Sequence, residues 1–482
     1  MPHTEETPSS AVTKQAGDGS ERVPPATIVE ESAPLETIAG PPRSNKRERR
    51  RKRRRRARGE LPPPFEVTLD GFAAGGTAVG RAPDGRVVFV EYALPGERVL
   101  AEVTAESPSY LEARAIEVRE ASLSRVEPPC PYFGRCGGCQ LQHIDYAEQL
   151  VLKTNLVNEQ LRRIGHFKEP PVAATLGMAH PWSYRNHMRF TVRRDGDIGF
   201  MERGSHRFLR VDRCLIAHDA VNTVLKRTQD ATTGTRHLSV RVGANTGEIL
   251  IQPRLRWRPR KRPIPSGQPH YHDELGGRRF RVSAAAFFQV NRTQAERLAR
   301  LVRERVLEAQ PSVVVDAYAG VGTFAALLAG GGPWRVITIE ESAAAGNDAE
   351  FNLAELPEVT RLVGTVEDLL PDLDPEPELV IVDPPRVGLT PSVVKALLTS
   401  TCRRLIYVSC DPATLARDLR LLVDGDTAAG LAGFTLVSVQ PLDMFPQTQH
   451  IECVATLDRF AVPATTAIDK NVPNDATRDR SA

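Results

Sequence analysis

From about residue 280 the chain alternates short, continuous apolar runs with stretches of helical composition, the arrangement that a parallel α/β sheet covered on both faces requires. The runs fall at 312–315, 336–340, 379–382, 405–408 and 434–439. Residues 64–120 read differently. There, β-branched runs at 65–69, 86–90, 98–103 and 113–118 are broken by Gly75-Gly76, Asp84-Gly85 and Pro95-Gly96, which predicts a small β-barrel of the oligonucleotide-binding kind. Between barrel and sheet, Asp145 opens a helical stretch, with Glu148 placed as in a capping box and Gly165 closing it. Strand-like alternation follows over 180–260. The expected division is a tail at 1–60, a barrel at 61–120, a central β-rich domain at 121–279, an α/β domain at 280–461 and a second tail at 462–482.

Composition changes this picture mainly at the ends. Residues 1–60 are rich in Pro, Ser, Thr and Glu and poor in large apolar residues, so they are expected to be disordered. Residues 46–58 hold eleven Lys or Arg and one Glu, although the whole chain carries a formal charge of only +3. A cationic run of this kind attracts phosphate through counterion release, whatever the sequence of the nucleic acid; its alternative use is as a solvated or targeting tail. No apolar run approaches the ~20 residues that span a bilayer, and the first residues lack a signal-peptide pattern. A cytoplasmic protein without membrane association is expected, with a monomer as the default.

Three of the seven cysteines lie within Cys130-Pro-Tyr-Phe-Gly-Arg-Cys136-Gly-Gly-Cys139, and Cys214 lies far downstream. In a reducing compartment this density points to a metal site. The spacing is closer to iron-sulfur proteins than to the paired spacings of structural zinc, and such a centre can clamp two segments without redox work. The segment Tyr184-Arg-Asn-His-Met-Arg-Phe190 mixes aromatics with arginines, as single-stranded nucleic acid contacts do, or else belongs to an edge strand. Residues 254–262 form a second basic loop, containing proline.

The chemistry concentrates at carboxyl ends of strands, where open α/β sheets bind ligands. After the first strand comes Asp316-Ala-Tyr-Ala-Gly320-Val-Gly322-Thr-Phe324, whose glycines let a ligand approach the backbone, while Glu340 ends the next strand and can take two ribose hydroxyls. The third glycine of the dinucleotide fingerprint is absent, and the acid before the first glycine points to adenosylmethionine. A later strand ends in Asp383-Pro-Pro-Arg386. Another ends in Ser409-Cys410-Asp411-Pro412, placing Cys410 on a strand-to-helix turn whose dipole would favour a thiolate; the alternative is a small core residue. Glu452, flanked by apolar residues in an expected strand, reads by itself as solvent-facing.

Taken together these residues resemble the RNA uracil-5 methyltransferase family, over about residues 64–461. The resemblance rests on the barrel, the four cysteines, Phe287-Phe-Gln-Val-Asn291, the 316–324 loop, Asp383-Pro-Pro-Arg386, Ser409-Cys410 and His450-Ile-Glu452. It implies a class I adenosylmethionine-dependent methyltransferase sheet, α/β in class, with an N-terminal OB-like TRAM barrel and a central iron-sulfur domain. It further implies a 4Fe-4S cluster on Cys130, Cys136, Cys139 and Cys214, and an S-adenosyl-L-methionine site lined by Gln289, Tyr318, Thr323, Glu340 and Asp383. Cys410 would be the nucleophile and Glu452 the base, reversing the solvent-facing reading of that glutamate. Barrel and cluster together are similar to the 23S rRNA members more than to the transfer RNA members.

Three positions depart from the commonest pattern of that family: Asp411 stands for an Asn after the nucleophile, Thr323 for an Asn in the glycine loop, and Thr365 for an acid or amide near the adenine. A negative charge beside Cys410 would raise the thiol pKa unless offset. The rival reading from another class is an RNA-binding assembly factor without catalysis, which the intact Cys410 and Glu452 disfavour. A radical adenosylmethionine enzyme would need a shorter cysteine spacing than that from Cys130 to Cys136.

Overall fold

Continuous β-branched and apolar runs without alternation can be buried on both faces, and the C-terminal half of the chain uses them to build a seven-stranded sheet. The computed structural model describes residues 61–459, so the two expected tails, with the basic run at 46–58, lie outside the described residues. In spatial order the strands are Val359–Val363, Arg335–Glu340, Val313–Ala317, Leu379–Val382, Arg404–Ser409, Glu452–Asp458 and Thr435–Leu442. The first five pair in parallel, and Glu452–Asp458 runs antiparallel to both of its neighbours. Strand order reverses at Val313–Ala317, so a crevice opens at the carboxyl ends of that strand and Leu379–Val382. Both faces of the sheet are packed with aliphatic side chains.

The N-terminal part closes into a five-stranded barrel from Phe65–Ala73, Thr77–Arg81, Val87–Glu91, Arg98–Glu106 and Tyr110–Glu120. Thr77–Arg81 escapes the hydrophobic pattern because it holds few apolar residues and a glycine. Gly80 is required there: a Cβ would stand 2.5 Å from the Thr68 carbonyl oxygen of the neighbouring strand. The central region contributes a five-stranded sheet in which His187–Val192 lies inside, between His237–Val242 and Ile198–Met201. Tyr184 and Phe190 are buried. This corrects the expectation for 184–190, because these aromatics pack into the core and do not present faces for base stacking, and the strand is not an edge.

The helix expected after Asp145 spans Tyr146–Arg163. Its cap bond runs from the Ala147 N–H to Asp145 at 3.0 Å, one residue short of the N–H that a capping box uses. Its inner face carries Lys153, 1% exposed, whose Nζ donates to Asp443 Oδ1 at 2.6 Å and to the His450 carbonyl at 3.0 Å. Burial lowers the lysine pKa, and Asp443 works against that fall. Asp443 also accepts from the Tyr146 hydroxyl at 2.8 Å. Removing one partner of such a buried pair leaves the other charge uncompensated, so Lys153→Met is expected to destabilise the protein by roughly 3–5 kcal/mol. Urea unfolding of the variant beside the native chain measures this, and an unchanged midpoint would contradict it.

Candidate active site

The sheet brings Cys410 and Glu452 together through strand register. Ser409, the last residue of its strand, faces Cys453 on the antiparallel neighbour, so the next pair along is Cys410 with Glu452. On the other side Leu379–Val382 delivers Asp383, one residue beyond the Val382–Tyr407 pair. Cys410 is half-buried, and Glu452 is 4% exposed. The isolated reading of Glu452 as solvent-facing is therefore corrected: its strand is covered on both faces, so apolar flanking residues carry no information about which way it points.

Electrostatics ties these groups into one unit. Burial pushes the Cys410 thiol up, the Glu452 carboxyl adds to the rise, and the Arg386 guanidinium opposes it. Burial also holds Glu452 well above the usual carboxylate range, with Asp383 adding and Arg386 opposing. Asp383 is pushed up to about 7 by burial. Arg386 Nη2 lies 3.5 Å from His450 Nδ1. Burial first, then Arg386, Lys153 and Arg185, lower His450 to about 4, so near neutral pH it is an uncharged imidazole beside the guanidinium. Sequence reasoning quoted His450 within a motif but gave it no task.

Asp411 meets the condition under which its charge is offset beside the thiol, since it is held by hydrogen bonds. Its side chain accepts from the N–H groups of Ala413 and Thr414, at 3.1 and 3.0 Å, and so caps the helix Pro412–Asp424. The positive end of that helix dipole faces the Asp411 carboxylate. The same geometry corrects the expectation that the dipole favours a Cys410 thiolate, since the orphan N–H groups are taken and the thiol pKa rises.

Four of the five residues expected at the cofactor site, Gln289, Tyr318, Thr323 and Asp383, line one cavity with Gly320 and the exposed ring of Phe287. Gly320 has φ +57° and nothing within 4 Å of where a Cβ would be, so the turn presents bare backbone to open space. The fifth residue, Glu340, reaches the same loop by accepting the Gly320 N–H at 2.7 Å, while its other oxygen takes the Ser342 N–H at 2.7 Å. Beneath the loop, Asp316 Oδ2 accepts the Ala325 N–H at 3.0 Å, Oδ1 has no partner, and burial pushes the carboxyl up to about 7. Thr365 is committed elsewhere: its hydroxyl donates to Asp368 Oδ2 at 2.7 Å and caps the short helix Val366–Leu369.

Cys130, Cys136, Cys139 and Cys214 line a second cavity, of about 370 Å³. Among the described residues, no group of three or more His, Cys, Asp or Glu stands in an arrangement that could hold a metal ion. Burial pushes the Cys139 thiol up to about 12, the Gln142 side chain opposing, and Cys214 up to about 11. From this cavity the chain runs directly toward the active site. The N–H groups of Gln140 and Leu141 both donate to the Gln447 carbonyl at 3.1 Å, and Gln140 Oε1 accepts the Gln449 N–H at 3.3 Å.

Comparison with known proteins identifies the domains. Residues 65–116 match the TRAM domain model, and residues 370–460, which include Asp383, Cys410 and Glu452, match the tRNA (uracil-5-)-methyltransferase model. The chain is 36% identical over 449 residues to an uncharacterized RNA methyltransferase of Gloeobacter violaceus, covering 82% of this chain and 96% of that protein. It is 35% identical over 450 residues to another from Halalkalibacterium halodurans, with the same coverages. Among solved structures, the Pyrococcus abyssi tRNA (uracil-54, C5)-methyltransferase in complex with S-adenosyl-L-homocysteine shares the fold, at a TM-score of 0.63 and 23% identity over 82% of this chain and all of that one. Among the described residues no helix is long and apolar enough to cross a membrane. With a TRAM barrel in front of a methyltransferase sheet, and full-length relatives above 30% identity, the chain belongs to the RNA (uracil-5-)-methyltransferase family.

Proposed function

We infer that the protein transfers a methyl group from S-adenosyl-L-methionine to carbon 5 of a uridine in 23S rRNA, through a covalent bond between Cys410 and carbon 6. The observation that carries this reading is the pairing of a half-buried thiol with a buried carboxyl of raised pKa at the carboxyl ends of the parallel strands, next to Asp383, which also lines the glycine-loop cavity. Carbon 5 of uracil is a weak nucleophile. Addition of the Cys410 thiolate to carbon 6 turns the ring into an enolate, which makes carbon 5 reactive. Bound S-adenosyl-L-methionine supplies an electrophilic methyl group. The glycine loop, Glu340 and the residues at the cavity, Gln289, Tyr318, Thr323 and Asp383, hold that donor. Glu452 then removes the proton from carbon 5, and the electron pair of that C–H bond restores the ring double bond and expels the Cys410 thiolate.

Arg386 lowers the pKa of both the thiol and Glu452, and both act in their deprotonated forms. Arg386→Ala is therefore expected to move the rise of kcat/KM with pH to higher pH, and a pH–rate profile that does not move would take Arg386 out of this role.

Cys130, Cys136, Cys139 and Cys214 hold a 4Fe-4S cluster in this reading. Its support is the donor set itself: four part-buried thiols from two distant parts of the chain line one cavity, although they do not stand there as a ready-made ligand group. Iron and sulfide analysis of anaerobically purified protein tests it. The native chain is expected to carry both and Cys214→Ser to lose them, whereas an iron-free native chain would contradict the cluster. The ribosomal target is supported by the presence of barrel and cysteine cavity together. Transfer RNA is the second reading, favoured by the Pyrococcus abyssi likeness. Nucleoside mapping of 5-methyluridine in ribosomal and transfer RNA, from cells with and without this protein, separates them.

A further inference from the structure

Residues 254–262 hold six cations, Arg254, Arg256, Arg258, Arg260, Lys261 and Arg262, and no acid. The loop they form follows Ile249–Gln252, the edge strand of the central five-stranded sheet. All but Arg258 are exposed. Arginines around it are paired: Arg193 with Asp195, Arg210 with Asp230, Arg279 with Glu248. Among the described residues no such ion pair includes the six cations of the loop. Like charges so concentrated repel one another, and a polyanion relieves that repulsion.

The loop is built to stay in place. Five prolines, at 253, 259, 263, 265 and 269, restrict its backbone. Leu255 N–H donates to Ser266 Oγ at 2.9 Å, Gly267 N–H to the Ile251 carbonyl at 2.7 Å, and Arg258 Nη2 to the Asp195 carbonyl at 2.6 Å. Arg256–Trp257 pairs with Thr232–Thr233 as a short ribbon. Between the two arms lies a hollow of about 690 Å³, with Arg254 beside Leu255, Trp257, Pro263 and Ile264 in its wall. Trp257 is partly exposed. An apolar, aromatic hollow with the unpaired Arg254 in its wall, on a loop whose cations at 256, 260, 261 and 262 are exposed, matches an unstacked base with phosphates nearby. Trp257 packs against the same core that buries Phe190 but stays partly exposed, whereas Tyr184 and Phe190 do not.

We propose that residues 254–268 form a docking site for a single-stranded segment of the RNA substrate, with Trp257 stacking on a base and Arg254, Arg256, Arg260, Lys261 and Arg262 neutralising phosphates. The proposal rests on the chain being an RNA methyltransferase, and the site lies outside the residues assigned to methyl transfer. Arginine reaches phosphate through a planar fork, and the prolines remove much of the entropy lost on ordering a free loop.

The test uses the full chain and a fluorescent single-stranded oligouridine of about ten nucleotides, its anisotropy followed across a potassium chloride series. Replacing Arg256, Arg260, Lys261 and Arg262 by Gln is expected to flatten the slope of log affinity against log salt by about 3, near 0.7 per lost contact. Trp257→Ala should weaken binding roughly 5- to 150-fold without changing the slope, and Trp257→Phe should restore most of it. In methylation assays the loss should appear in KM for RNA and leave KM for adenosylmethionine where it was, which separates docking from misfolding. Photocrosslinking of 4-thiouridine RNA to the native chain should yield peptides from 254–268. Unchanged slope and affinity in the charge variant, or crosslinks that avoid this loop, would overturn the proposal even if the native enzyme methylates RNA. Failure of the native chain to methylate any RNA would count against the enzyme reading instead.

Discussion

Cys410→Ala should abolish methyl transfer, by at least about 10⁴-fold in kcat, the scale on which enzymes lose activity when a nucleophile is removed. Without addition at carbon 6 there is no enolate, and carbon 5 does not attack a sulfonium methyl at a useful rate. The variant should still fold. Cys410 is half-buried just past a strand that is buried from Leu405 to Ser409, so losing its sulfur removes little buried surface, and unfolding free energy should change by no more than about 1 kcal/mol. The decisive measurement pairs the native chain and variant on RNA containing 5-fluorouridine with adenosylmethionine. Fluorine at carbon 5 cannot be removed as a proton, so the native enzyme should halt as an adduct that survives denaturing electrophoresis, and the variant should form none. Residual turnover in the variant within tenfold of native would refute covalent catalysis by this residue.

Glu452→Gln should give a different defect. The base contributes on the order of 10²–10⁴ in rate, so turnover should fall by that much. The covalent step should survive, because the Glu452 carboxyl raises the thiol pKa and its neutral replacement removes that effect. At neutral pH the variant is therefore expected to bond RNA at least as readily as the native chain, transfer the methyl once, and stall before carbon 5 loses its proton. A methylated protein–RNA adduct on ordinary uridine RNA, seen by mass spectrometry, is the predicted product. If the variant loses adduct formation and turnover together, Glu452 is not the base of the second half-reaction.

How much of this was legible in the sequence depends on which physical signal each residue leaves. The strands of the large sheet announce themselves because burial on both faces needs unbroken apolar runs, and the observed Leu379–Val382 coincides with its run. The barrel strand Thr77–Arg81 leaves no such signal, because close strand approach at Gly80 replaces side-chain burial. Cys410 and Asp383 could be placed at carboxyl ends of strands from local pattern. Their adjacency to Glu452 could not, since it depends on an antiparallel strand inserted beside a parallel one. Lys153 was the least visible: a lysine on an amphipathic helix reads as solvated, and only the tertiary partner Asp443 makes burial tolerable. For Asp411 the sequence left two outcomes open, because proximity along the chain to Cys410 says nothing of the N–H groups that its carboxylate faces.

The segments that lead into Cys410 and Glu452, whose strands pair with each other, are fastened by different parts of the molecule. Cys410 hangs from a strand held between neighbours on both sides, whereas the approach to Glu452, residues 443–450, is fastened by Lys153, Tyr184 and the backbone just past Cys139. Strain or collapse around the cysteine-lined chamber would thus reach the proton-abstracting arm before the sulfur arm. On the roles proposed for Cys410 and Glu452, turnover would then fail late in the cycle and leave RNA tethered to protein, a lesion met as trapped ribonucleoprotein more than as unmodified uridine.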